Sequence, residues 1–197
     1  MPNTSASGGY LLPAAAPAPV EGDAFEDFLH DVIQGITGMD ATLIRPRWQD
    51  EPPNMPQASN TWCAFGIASW IPDTYAIEEL DPAGDGSVNL IRHETDELLA
   101  SFYGPDAQRY ASYLRDGLQV SQNRAALVAA GVGLVRTGNV VQVPSLVKER
   151  WQRRVDLPIT VRRQILRNYP VMYLLTANAI LYGEGAPLIT TPIDVHQ

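Results

Sequence analysis

The chain has 197 residues, of which 45% are hydrophobic and 18% charged, with a net charge of −8. That balance supplies a core for one compact domain and excludes wholesale disorder. No apolar run is long enough to span a bilayer and no signal peptide is expected; the single cysteine, Cys63, excludes an intrachain disulfide, and with His30, His93 and His196 it has no zinc-site spacing, so no metal and no cofactor is expected.

Residues 1–22 read as an extended arm rich in Pro, Ala, Gly and Ser. Its prolines favour an open polyproline path, and Tyr10, Leu11 and Leu12 form a small apolar plug suited to docking on a neighbouring subunit. A helix is predicted from Asp23, where Asp23 and Glu26 have capping-box spacing, to Gly38. Phe25, Phe28, Leu29, Val32, Ile33 and Ile36 make its apolar stripe. Leu43 to Trp48 suits a short strand, and the prolines of 52–56 forbid regular structure.

Thr61 to Ile71 suits a longer strand. Cys63, Phe65, Ile67 and Ile71 share one face; Trp62, Ala64, Gly66, Ala68 and Trp70 share the other, its small residues leaving room for another backbone. Tyr75–Leu80, a turn at 81–86, Ser87–Arg92 and Leu98–Tyr103 follow as strand, turn and two further strands. Gly104-Pro105-Asp106 opens a helix with Ala107, Tyr110, Ala111, Leu114 and Leu118 inward. Ala125–Ala130 extends it or forms another, and Gly131 ends it.

Val132–Val135 and Val140–Val143 flank Thr137-Gly138-Asn139 as a hairpin. From Trp151 the alternation is period two. Trp151, Val155, Leu157, Ile159 and Val161 lie on one face, interrupted by Arg153; Arg150, Gln152, Arg154, Asp156, Thr160 and Arg162 lie on the other. Pro158 predicts an edge strand or a bulge there. Val171–Tyr182 makes a last strand, and 183–197 a C-terminal arm. The reading is therefore α+β: a small antiparallel or mixed sheet against two or three helices, with residues 23–182 as a single domain between two arms.

The search for chemistry finds no reacting centre. Nucleophile elbow, phosphate loop and zinc-protease motifs are missing. Glu94, Asp96 and Glu97 are a local acidic run and read as a solvated face, although a small carboxylate-dependent hydrolase is the alternative from another functional class. The charge distribution says more. Residues 1–106 hold 17 acids and 3 bases; residues 107–197 hold 5 acids and 11 bases. Such a split implies surfaces that complement each other, within the fold or between subunits. Every base in the second part except Lys148 is arginine, whose planar fork suits interfaces. Arg150, Trp151, Arg153, Arg154, Arg162 and Arg163 are the candidate subunit or partner contacts.

Two stretches resemble a known family. They are Leu98-Leu99-Ala100-Ser101-Phe102-Tyr103-Gly104-Pro105-Asp106-Ala107 before a helix, and Val147-Lys148-Glu149-Arg150-Trp151-Gln152-Arg153-Arg154-Val155-Asp156-Leu157. With the Gly8-Gly9-Tyr10-Leu11 arm they resemble the neck or tail terminator family of long-tailed bacteriophages, over roughly residues 24–182. The resemblance implies a virion protein without an active site, forming a ring, most often of six copies. That ring would cap the tail tube and join it to the head connector, touching tube, sheath and adaptor proteins, while genomic DNA passes through without sequence-specific contact. It implies a virion location after assembly in the host cytoplasm, and no membrane. A tail-completion or baseplate subunit is the alternative within the virion. The long Pro/Ala arm departs from the family pattern.

Overall fold

The computed structural model describes residues 9–14, 21–49, 55–80, 87–147, 150–171, 176–183 and 186–194. The elements in chain order are α1 (Asp23–Thr37), β1 (Ile44–Pro46), β2 (Trp62–Pro72), β3 (Ile77–Leu80), β4 (Val88–Tyr103), α2 (Ala107–Gly117), α3 (Ser121–Ala129), β5 (Val132–Thr137), β6 (Val141–Gln142), β7 (Ser145–Val147), β8 (Arg150–Gln152), β9 (Arg154–Tyr169), β10 (Thr176–Gly183) and β11 (Ala186–Asp194). They divide into two compact units. The larger holds Pro19–Ala76 and Ile91–Leu166; the smaller holds Met1–Ala18, Ile77–Leu90 and Arg167–Gln197.

In the larger unit α1 buries Phe25, Leu29, Ile33 and Thr37, one turn apart, with Phe28, Val32 and Ile36 packed beside them. Gly22 takes the N-cap position, so the expected capping box does not form; Asp23 and Glu26 sit instead in the first turn, where the helix dipole favours acids. The helix stops at Gly38, whose φ of 66° is left-handed and whose N–H donates to the Gln34 carbonyl. α2 turns Ala107, Ala111 and Leu114 inward, with Leu118 just beyond its end, and α3 adds Leu127.

The main sheet has the order β1-β2-β4-β9-β5, with β3 also on β4 and β6 also on β9. β1 runs parallel to β2, whereas β2–β4, β5–β9 and β6–β9 are antiparallel. A mixed sheet with three helices is the α+β fold expected. Its core joins Phe65, Leu98, Phe102, Val155, Leu157 and Val161 to the helix stripes. Each such side chain, fully buried, contributes about 1.5–3 kcal/mol.

Five expectations are corrected here. β4 is one strand of 16 residues where two were expected, because the acidic residues between them pair in the ladder: Glu97 opposite Ser69, Asp96 opposite Trp70 and Glu94 opposite Pro72. In β2 the register shifts between Ile67 and Ser69, leaving Ala68 as an extra residue. That bulge turns the alternation over, so Trp70 shares the Ile67 face and Ile71 does not. β9 is an interior strand, and the expected hairpin of 132–143 is absent, since β5 and β6 each pair with β9. Pro158 explains both. It lacks a donor, and β9's neighbour leaves its ladder opposite it, between Thr137 and Val141. Only the Pro158 carbonyl is used on that side, by the Gly138 N–H at 2.7 Å. A side chain at Gly138 would run into the Pro158 ring. Lastly, β7 and β8 make a small antiparallel ribbon of their own, so Trp151 does not continue the buried face of β9.

In the smaller unit β10 and β11 pair antiparallel from Thr176–Asp194 to Gly183–Ala186, so the expected C-terminal arm carries a strand. The Ala14 N–H donates to the Asn168 carbonyl at 2.7 Å, and the Asn168 side chain donates to that of Asn89 at 3.0 Å. The turn at 81–86, most of the Pro-rich stretch and much of the N-terminal arm lie outside the described residues.

Candidate assembly surface

The six candidate contact residues do not form one patch. Arg154 and Arg162 share the outer face of β9 but stand eight residues, about 26 Å, apart along it. Arg162 is half-exposed and donates to Asp73 Oδ2 at 2.6 Å and Thr95 Oγ1 at 3.3 Å. Its hydrogen bond holds the Asp73 carboxyl below the usual range. Arg154 forks onto both oxygens of Asp156 at 2.8 Å, which keeps it firmly charged. Asp156 also accepts from the Ser101 hydroxyl, which accepts from Arg47, and the Arg154 guanidinium lies 5.7 Å from the Tyr103 ring. Tyr103 stacks on buried Trp62 with ring centroids 4.3 Å apart. Arg154 is therefore anchored by its own fold.

Arg163 lies inside the larger unit, 6% exposed. It pairs with Glu94 at 2.5 Å and Asp96 at 2.8 Å and lies over the Phe25 ring at 4.1 Å, so it ties β4 and β9 to α1. The odd-numbered parity of Val155, Leu157, Ile159 and Val161 extends to 163 and was the signal for this. The acidic run is correspondingly not a solvated face: Asp96 is wholly buried. The pairs Asp73–Arg162, Glu94–Arg163 and Asp96–Arg163 also show that part of the charge split is satisfied within the chain.

Trp151 and Arg153 remain at the surface. Trp151 is 74% exposed. Arg153 donates to the Pro105 carbonyl at 3.0 Å and has no ion pair among the described residues. With Arg154 they line a groove of about 840 Å³ in the larger unit, walled by residues 55–59, Gly104, Pro105, Gln142 and Pro144. No acid is among the described residues that line it. Arg150 belongs to β8, its side chain lying outside the described residues. In the arm, Tyr10 and Leu12 are exposed and Leu11 is partly covered. Buried Cys63 has its thiol pushed up by desolvation, and no helix among the described residues is long and apolar enough to cross a membrane.

This is a surface with rigidly anchored arginines and an open aromatic rim. The sequence profile of phage neck terminator proteins matches it over residues 23–187. The chain belongs to that family. No curated protein matches it. Neck terminators are structural parts of the virion, so this one is not an enzyme; it is located in the virion neck and works among head and tail components. The match encloses the groove and the Arg163 cluster and leaves out Tyr10, Leu11 and Leu12.

The buried cluster gives this terminator a pH-dependent term. Burial pushes the Asp96 carboxyl from 3.8 up to about 6, opposed by Arg163 and reinforced by Glu94. The folded chain then holds a proton that the unfolded chain has already released. The stability this proton supplies is complete below about pH 4 and drains away as pH rises to about 6. Asp96→Asn should remove that segment from the pH profile. The check is the urea midpoint from pH 4 to 8 for both chains; parallel profiles would show that Asp96 is not the group responsible.

Proposed function

We propose that this terminator forms a ring, of six copies, that caps the tail tube and joins it to the head connector. Assembly takes place in the host cytoplasm, the ring meets tube, sheath and adaptor proteins, and genomic DNA runs through its lumen. The observation that carries the reading is the Trp151–Arg153 rim: a large exposed aromatic beside a cation without an ion pair among the described residues, the residue types enriched where proteins bind proteins. Arg150 and Arg154 then serve as flanking contacts, Arg162 as a separate contact further along β9, and Tyr10, Leu11 and Leu12 as the arm's plug on a neighbour. The acidic excess of residues 1–106 supports a lumen that does not grip its cargo.

The test is to image the purified protein and measure its mass. A closed ring many times 21.6 kDa is expected. Phage lacking the protein should carry tails of irregular length or leave heads unjoined. A chain that stays monomeric both in solution and on tube ends, with normal attached tails in its absence, would overturn the reading.

A further inference from the structure

We infer that the groove at Trp151 and Arg153 receives the acidic outer face of helix α1 from the next copy of the chain. The inference rests on the ring reading and names its contact. While one side of α1 is in the core, Asp23, Asp27 and Asp31 stand one turn apart on the other side, all exposed. Three carboxylates thus span about 12 Å of helix. Asp31 contacts only the neighbouring His30, at 3.2 Å, among the described residues. The dipole accounts for Asp23 in the first turn but not for Asp31 two turns later. Further along the same stripe, Gly35 opens to empty space, so the face narrows to bare backbone beyond the acids.

The groove offers what this face lacks. Among the described residues, its rim brings a cation without an ion pair and an exposed indole, its lining holds no acid, and its remaining walls are Pro, Met, Gln and small residues. A carboxylate stripe entering it meets Arg153 directly, while Arg154 adds to the field although it is already committed to Asp156. Both surfaces belong to the same larger unit, and no described hydrogen bond or ion pair joins them. They are different patches on one body. A contact between them is therefore head-to-tail, and repeating it generates a ring if the rotation closes. A basic groove also attracts DNA phosphates, but an aromatic rim walled by prolines, with two cations among its described residues, is a poor track for a duplex backbone.

The experiment uses the full chain with Arg153→Glu, with Asp27→Arg and Asp31→Arg together, and with all three changes, each checked for an unchanged melting temperature. Arg153→Glu and the helix variant should each lose the ring and run as monomers. Mixing the two should rebuild rings of alternating copies, because wild-type helix meets wild-type groove at one contact and the exchanged charges complement each other at the next. The triple variant, with the charges exchanged, should regain the ring. A wild-type ring that survives Arg153→Glu overturns the contact and leaves the ring reading standing. Loss of assembly in Arg153→Glu but not in the helix variant shows that the groove has another occupant and also overturns it. Salt-sensitive binding of random-sequence duplex DNA that Arg153→Glu abolishes while rings persist assigns the groove to DNA. A monomeric wild type overturns the ring itself.

Discussion

Arg163→Ala is expected to destabilise the chain by about 3–5 kcal/mol, the cost of removing one partner from a buried ion pair. Two carboxylates depend on this guanidinium. Asp96 has no exposure and the Glu94 side chain only 12%, so neither can turn to water when the cation is lost. α1 loses its contact as well, because the same group lies on the Phe25 ring. Part of the loss is recoverable by protonation, so the variant should be less damaged at pH 5 than at pH 8. Lysine is a poor substitute, as a point charge cannot fork between two acids and lie flat on a ring. The combined change Glu94→Gln, Asp96→Asn and Arg163→Met should recover much of the stability, since it leaves no charge behind. Urea unfolding of the four chains decides. If Arg163→Ala melts like the wild type but fails to assemble, the residue acts between subunits and not within one.

Gly104→Ala is expected to cost about 3 kcal/mol or more, by a different route. Gly104 has φ of +100°, where an L side chain alone costs about 1–3 kcal/mol. A Cβ there would lie 2.5 Å from the Asn60 carbonyl oxygen and 2.9 Å from Thr61 Cα. Both obstacles are backbone, and no rotamer change relieves them. The residue is also a junction: its N–H donates to the Arg153 carbonyl at 3.1 Å, and its own carbonyl accepts from Ala107 at the start of α2. Displacing it moves the turn into β9, the head of α2 and the 55–61 wall of the groove together. A fall of roughly 6–12 °C in melting temperature is expected for a chain of this size. Melting unchanged within error would show that the turn yields locally at little cost.

The core was legible in the sequence where periodicity is unbroken. The stripe of α1, the inward residues of α2 and the odd-numbered face of β9 all follow from spacing alone. What failed did so for identifiable reasons. Ala68 adds one residue to β2, and a period-two reading has no means of seeing an insertion that inverts it. Glu94, Asp96 and Glu97 read as a break in β4 because an acid prefers water, until a specific arginine from a strand about 70 residues later is placed against it. Pro158 was weighed as a mark of an edge; its actual consequence lies in the neighbouring strand, which parts around it. For the candidate surface, sequence singled out Trp151 and Arg153. It did not separate them from Arg154, which forks onto Asp156 two residues along its own strand, or from Arg163, whose partner Asp96 is brought to it only by the pairing of strands.

A protein built to gather with its own kind runs a particular risk: exposed strands can recruit one another without limit, as in fibrils. The outermost strands of the main sheet are poor templates for that. β1 is three residues long and ends in Pro46, and β5 is interrupted by a bulge between Leu134 and Arg136 after Gly133. Backbone zippering is thereby discouraged at both margins, and recognition between copies is left to side chains, which can be specific and can stop.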